Sequence, residues 1–277
     1  MNDIVTVLGS VKPEDLGHCQ PHEHIYITQN PVQLTEKNVR FTILPLSIQE
    51  LKSYKKAGGT TLVEAMPVAT GRDALALATA SRESHVNIIA CTGFHASWLY
   101  KKDHWIHELG ELELCDLFVR ELREGMGLGG CYEPIEYWTK IRAGAIKAAY
   151  FPGYINERQK VLLKAAAQAS KITDAPVILH TEGGKGALEC TDVLLNEGMS
   201  PQKLLVCHTD WNKENKSLQI KLASMGVFIS FDAINTFQFI QPLQELDLIR
   251  SMIENGFGDR ITLSTDPTIE RLKAYGG

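Results

Sequence analysis

Five residues of this chain stand where their side chains suit metal chemistry. His22 and His24, in the run PHEHIYI, are two positions apart, so on a strand both imidazoles point to one side and can reach one cation. Glu23 between them then points the other way and reads as structural. His180 closes the apolar run VILH, His208 closes KLLVCH, and Asp266 closes ITLSTD. Each alone is an ordinary strand-end residue, but four imidazoles and a carboxylate at the ends of neighbouring strands converge on one mouth. Imidazole nitrogen and carboxylate oxygen suit zinc and related divalent ions, and five such groups exceed what one tetrahedral ion with an open water position takes from protein. Two ions are expected, zinc first, with manganese, cobalt and iron compatible with the same donors.

A sixth residue addresses the repulsion between two such ions. Cations about 3.5–4 Å apart need anionic bridges, and a hydroxide supplies one of them. Lys147 interrupts the apolar run GAIKAAY, and as an ammonium it has no lone pair to offer. As a neutral amine, favoured by burial and by neighbouring positive charge, it can add carbon dioxide and lose a proton. The resulting lysine carbamate has two oxygens that act as a bridging carboxylate. The competing assignment is an ion pair with an acid inside the fold, for example Glu64.

These residues need a scaffold that brings strand ends together. Residues 156–172, NERQKVLLKAAAQASKI, place Val161, Leu162, Ala165, Ala166, Ala169 and Ile172 on one face at helical spacing. An Asp174-Ala175-Pro176 turn follows, then VILH, then loop and helix. The same alternation recurs through KLLVCH, VFISFD (ending at Asp232) and ITLSTD, and strands separated by helices imply parallel pairing, because each return needs a crossover. Runs near 18–27, 60–65, 86–93 and 141–150 supply four more strands. Eight strands predict an α/β fold, the (β/α)8 TIM barrel, which takes about 250 residues, as one hydrolase domain over 1–277. A doubly wound open sheet is the alternative, but it would gather ligands at one switch point and carry a Gly-rich phosphate loop after its first strand. Asp266 stands close to the end of the chain, so the expected barrel lacks its final helix. Apolar surface beside that gap is then exposed or covered by a partner, a homodimer being one arrangement.

Composition narrows the functional classes. The 277 residues are 44% hydrophobic and 22% charged with a net charge of −5. Neither that balance nor any basic cluster favours nucleic acid or an anionic membrane. No run approaches the ~20 apolar residues that cross a bilayer, and the N-terminus has no secretory pattern, so a cytoplasmic protein acting on a small-molecule substrate is expected. Six scattered cysteines without a C-x-x-C pair read as reduced thiols.

In order from about residue 4, the segments TVLGSVKPEDLGHCQPHEHIYI, RAGAIKAAY, APVILHTEGG, LLVCHTDWN and ITLSTDP resemble the strands of the phosphotriesterase-like metal hydrolases of the amidohydrolase superfamily. The resemblance implies that His22, His24 and Asp266 hold one ion, His180 and His208 the second, and that carboxylated Lys147 bridges them. HTEGGKGALE and ISFDAI are similar to the lactonase-like branch. The implied activity is attack of a bridging hydroxide on a lactone or carboxylic ester, with Asp266 accepting its proton. Phosphotriester hydrolysis, cyclic amide hydrolysis and a non-catalytic metal-binding homologue are the alternatives. Enzymes of that branch acting on phosphorylated sugar lactones use basic residues near the seventh and eighth strands. Here Asn235, Thr236, Phe237 and Gln238 carry no charge, which leaves Lys185, Lys213 or Arg271 from other loops. His95, Trp98, Tyr100 and Trp211 follow the third and sixth strands and, with Arg271, are candidates for the substrate pocket.

Overall fold

The computed structural model describes residues 3–28, 41–96, 99–150, 156–234, 236 and 239–277. The chain opens with an antiparallel hairpin of β1 (Ile4–Thr6) and β2 (Gly9–Val11). Then β3 (His18–Glu23), α1 (Leu44–Lys56), β4 (Gly59–Glu64), α2 (Ala74–Ser84), β5 (Asn87–Gly93) and α3 (Glu111–Arg123) follow. A second short hairpin, β6 (Gly127–Leu128) with β7 (Tyr137–Trp138), precedes β8 (Ala145–Ala149) and α4 (Glu157–Thr173). The chain continues through β9 (Val177–His180), α5 (Ala187–Asn196), β10 (Leu204–Val206), α6 (Lys216–Ser224), β11 (Phe228–Phe231), α7 (Pro242–Glu254) and β12 (Ile261–Leu263).

Eight of these strands form one parallel sheet in the order β3-β4-β5-β8-β9-β10-β11-β12, and the first seven are each followed by an α-helix. This is the expected (β/α)8 barrel without its last helix. Side chains close the seam between β12 and β3: the His22 N–H donates to Ser264 Oγ at 2.9 Å, and Thr265 donates from N–H and Oγ1 to the two Glu23 oxygens at 2.8 and 2.9 Å. Beyond β12, two 3-10 turns, Ile269–Arg271 and Lys273–Tyr275, occupy the eighth-helix position, with the Tyr275 hydroxyl against Ser47 Oγ of α1 at 2.8 Å. Leu263 of β12 is 45% accessible, and Leu243, Leu246 and Ile253 of α7 are also exposed.

Local chemistry sets the element ends. Asn156 caps α4 by accepting the Gln159 N–H at 2.9 Å, and the helix stops at Asp174, whose φ is 65°, two residues before Pro176. Asp73 caps α2 by accepting from Leu75 and Ala76. One expectation needs correction. Ile172 is half exposed, because the buried stripe of α4 runs through Leu162, Leu163, Ala166, Ala169 and Ser170. Lys147 sits in the middle of β8, which continues until Ala149 pairs with His180.

The barrel interior is layered. Val63, Ile89, Cys91, Ala145, Ile178 and Leu205 form a buried apolar floor, against which Ile4 of the hairpin packs. Lys147 and His180 stand two positions further along the strands that carry Ala145 and Ile178, and so above that floor. All six cysteines are free, and among the described residues no helix is long and apolar enough to cross a membrane.

The β5–β8 spacing depends on Gly93, whose φ is 90° and where a Cβ would lie 2.0 Å from the Lys147 carbonyl oxygen. Gly93→Ala combines overpacking with a disfavoured backbone and is expected to destabilise the fold by about 2–3 kcal/mol. That lowers the melting temperature by roughly 5–10 °C. An unchanged thermal melt would contradict this account of the strand spacing.

Candidate metal centre

Each candidate ligand sits at or just past the C-terminal end of a strand, except Lys147 within β8 and His22, one residue before the end of β3. His24 follows β3, His180 ends β9, His208 lies two residues past β10, and Asp266 three past β12. Although β3 ends at Glu23 and its register is irregular, the His22 and His24 rings still lie side by side, 5.9 Å between centroids.

Buried carboxylates hold the outward nitrogens of these imidazoles. Asp232, directly after β11, accepts from His22 Nδ1 at 3.0 Å and from His208 Nδ1 at 2.8 Å, and also from the His208 backbone N–H. Glu64, at the end of β4, faces His24 Nδ1 at 3.1 Å while accepting from the N–H groups of Ile25, Tyr26 and Met66. Glu182 faces His180 Nε2 at 3.5 Å, a looser arrangement. With their outer nitrogens so engaged, the inner ones converge. His22 Nε2 is 2.9 Å from Lys147 Nζ, His208 Nε2 is 2.8 Å from His180 Nδ1, and His24 Nε2 is 3.4 Å from Asp266 Oδ1. Asp266 Oδ2 lies 3.9 Å from His208 Nε2. Lys147, 2% exposed, therefore meets imidazole rather than Glu64, which is committed elsewhere.

The electrostatics fit cations. Burial, reinforced by Lys147, pushes His22 down to about 4, and burial with the neighbouring His208 pushes His180 well below the ordinary imidazole range. Both are neutral at physiological pH and present lone pairs, the form that ligates metal. His24 behaves oppositely: burial lowers it, but Glu64 and then Asp266 hold it above its ordinary value, so positive charge is favoured between those carboxylates. Burial would raise Asp232, yet His208 and His22 hold it well below the usual carboxylate range. Burial likewise opposes ionisation of Asp266, and His22, His24 and His208 more than offset it. His22, His24 and Asp266 present ligand atoms within 4.8 Å of one another, as do His22, His208 and Asp232, where Asp232 meets the Nδ1 side.

Two candidate ligands have left-handed backbone: His208 at φ 63° and Asp266 at φ 39°. Such conformations cost about 1–3 kcal/mol each and persist where surrounding bonds over-determine them.

The pocket candidates divide. His95 lies with its ring 5.1 Å from that of His180, and its Nδ1 accepts the Ala96 N–H at 2.9 Å. Trp211 packs 4.3 Å from the His208 ring and stacks on Phe239 at 4.2 Å and 5°. Tyr100 is buried and anchors a loop, its hydroxyl accepting from the His95 N–H and donating to the Val68 carbonyl. Arg271 bonds protein groups of the loops after β11 and β12. Trp98 lies outside the described residues, as do Asn235, Phe237 and Gln238. Asp232 and Phe239 had no role in the sequence reading. The signal for Asp232 was present, since it ends VFISFD as Asp266 ends ITLSTD.

The profile of the phosphotriesterase family matches residues 2–277. The chain belongs to that family. Among curated proteins it is similar to a phospho-furanose lactonase of Mycoplasmopsis synoviae, 30% identical over 267 residues, covering 94% of this chain and 75% of that protein. It is also similar to an N-acetyltaurine hydrolase of Danio rerio, 25% identical, covering 99% and 87%. Among solved structures, a lactonase from Listeria monocytogenes superposes with a TM-score of 0.89 at 27% identity, covering 99% of this chain and 86% of that one. This member of the phosphotriesterase family is thus a hydrolase of the metal-dependent kind, with lactonase-like relatives.

Asp232 serves imidazoles on both sides of the cluster, so Asp232→Asn should weaken every ion bound there. The expected loss is about 10–100-fold in zinc affinity, read by competition with a chelator. Zinc binding equal to that of the wild type would remove Asp232 from this role.

Proposed function

We propose that this protein hydrolyses a lactone or carboxylic ester at two divalent ions held in the barrel mouth. The observation that carries this reading is the convergence of His22, His24, His180, His208, Lys147 and Asp266, with carboxylates fixing the far nitrogens. His22, His24 and Asp266 would hold one ion and His180 and His208 the other. Their nitrogen-rich donors suit zinc. Lys147, as the carbamate formed by adding carbon dioxide and losing a proton, would supply the anionic bridge. When bound, such ions would supply Lewis acidity toward a carbonyl oxygen and would make bound water easier to deprotonate near neutral pH.

The chain's own groups do the rest. Asp266 accepts the proton of the attacking water and returns it to the leaving oxygen as the acyl C–O bond breaks. His95, Trp211 and Phe239 form an aromatic rim that orients the ring of the substrate. The two curated relatives, a phospho-furanose lactonase and an N-acetyltaurine hydrolase, bracket the substrate class, and the higher identity of the first favours the lactone.

Purified protein supplied with two equivalents of zinc should turn over lactones or carboxylic esters faster than phosphotriesters or amides assayed beside them. Highest kcat/KM on any other class would replace this reading. Lys147→Ala should hold fewer than two ions, and reconstitution of the wild type should speed up with bicarbonate. Unchanged two-metal stoichiometry in the variant would rule out a bridging lysine.

A further inference from the structure

The strained backbone of Asp266 has an identifiable cause. Thr265 is held on both sides of its Cα, and the peptide that joins it to Asp266 is held through the Thr265 carbonyl. Thr265 donates its N–H and its hydroxyl to the buried Glu23 carboxylate at 2.8 and 2.9 Å, and its carbonyl accepts from Arg271 Nη1 at 2.9 Å. The same guanidinium reaches across to the loop after β11, donating through Nη2 to the Ile234 carbonyl at 2.7 Å and through Nη1 to Thr236 Oγ1. The tilt of the Thr265–Asp266 peptide plane determines φ at Asp266, and hence where its carboxylate points. Unconstrained, a non-glycine residue ahead of a proline, here Pro267, takes an extended backbone with negative φ. The observed φ of 39° therefore needs an external hold.

We infer that Arg271 is a positioning residue: with Glu23 it locks the Thr265–Asp266 peptide in the left-handed turn that aims the Asp266 carboxylate at His24 and His208. It acts on the metal centre through Asp266, and Thr236 and Ile234 keep its guanidinium in place. This rests on the metal-centre reading but on no particular substrate. The role differs in kind from that of a basic residue recruited for a substrate phosphate. Such a residue changes only how anionic substrates bind, whereas a clamp on Asp266 changes ion retention with any substrate or none.

Arg271→Ala and Arg271→Lys in the full chain, compared by zinc affinity against a chelator and by kinetics on an uncharged lactone, test this. Arg271→Ala is expected to bind one of its two zinc ions about 10–100-fold more weakly. Arg271→Lys should fall between it and the wild type, and added guanidinium ion should restore part of the loss. On the uncharged lactone kcat should fall by a similar factor while KM changes little. Wild-type zinc affinity in Arg271→Ala, or a loss confined to KM for phosphorylated lactones, would overturn the inference. Should Arg271→Ala fail to fold by circular dichroism, Arg271→Lys decides: weakened zinc supports the clamp and unchanged zinc overturns it. If the wild type hydrolyses no lactone at all, the substrate reading fails, while the zinc comparison still decides the role of Arg271.

Discussion

A carboxylate removed from water must be paired or it raises the energy of the fold. Asp232 is such a group, and its donors come from far apart in the chain: His22 from the first barrel strand, and both the ring and the backbone of His208 from the sixth. No local stretch can satisfy it. The carboxylate is compensated only when β3, β10 and β11 stand in their final places, so closing the barrel and forming the candidate metal centre are one event. The Glu23 bonds to Thr265 act on the same seam, which β12 and β3 share without a regular backbone ladder.

Lys147 gains its meaning from the same geometry. In the sequence it is an isolated ammonium in an apolar strand, and an ion pair with Glu64 was the ordinary alternative. Glu64 spends its oxygens on three backbone N–H groups and on His24, leaving the lysine amine against His22. The apolar floor beneath it keeps that amine away from bulk water. The lysine thus stands 2.9 Å from His22 Nε2 inside the candidate metal centre, and the ion pair with Glu64 does not form.

Much of this was legible from the sequence, because barrel strands bury both faces and write themselves as short apolar runs. All eight barrel strands, and the six candidate ligands at one mouth, follow from those runs and from the polar residue that ends or interrupts each. What the runs do not encode is contact between distant loops. Asp232 looked like one more strand-end acid, since nothing local distinguishes a carboxylate that binds metal from one that holds the ligands. Tyr100 looked like a pocket aromatic, but its hydroxyl finds the backbone of His95 and Val68 five and thirty-two residues away. Phe239 is invisible as a site residue until Trp211 is seen stacked against it. Ile172 misled because a periodic pattern fixes which residues share a face, not where the edge of the buried stripe falls.

The hairpin at the start of the chain lies across the end of the barrel opposite the site, tied to β5 by the Val7 N–H on the Ile88 carbonyl and packed through Ile4 on the apolar floor. Among the described residues, the side chains of the floor and this covering ribbon fill the barrel end opposite the candidate site. On the proposed function, reactant and product then share the mouth at the strand C-termini, past the rim where Trp211 and Phe239 stand. Arrival and departure then compete for one threshold, so the dwell time of a spent molecule there enters turnover as directly as the breaking of its bond.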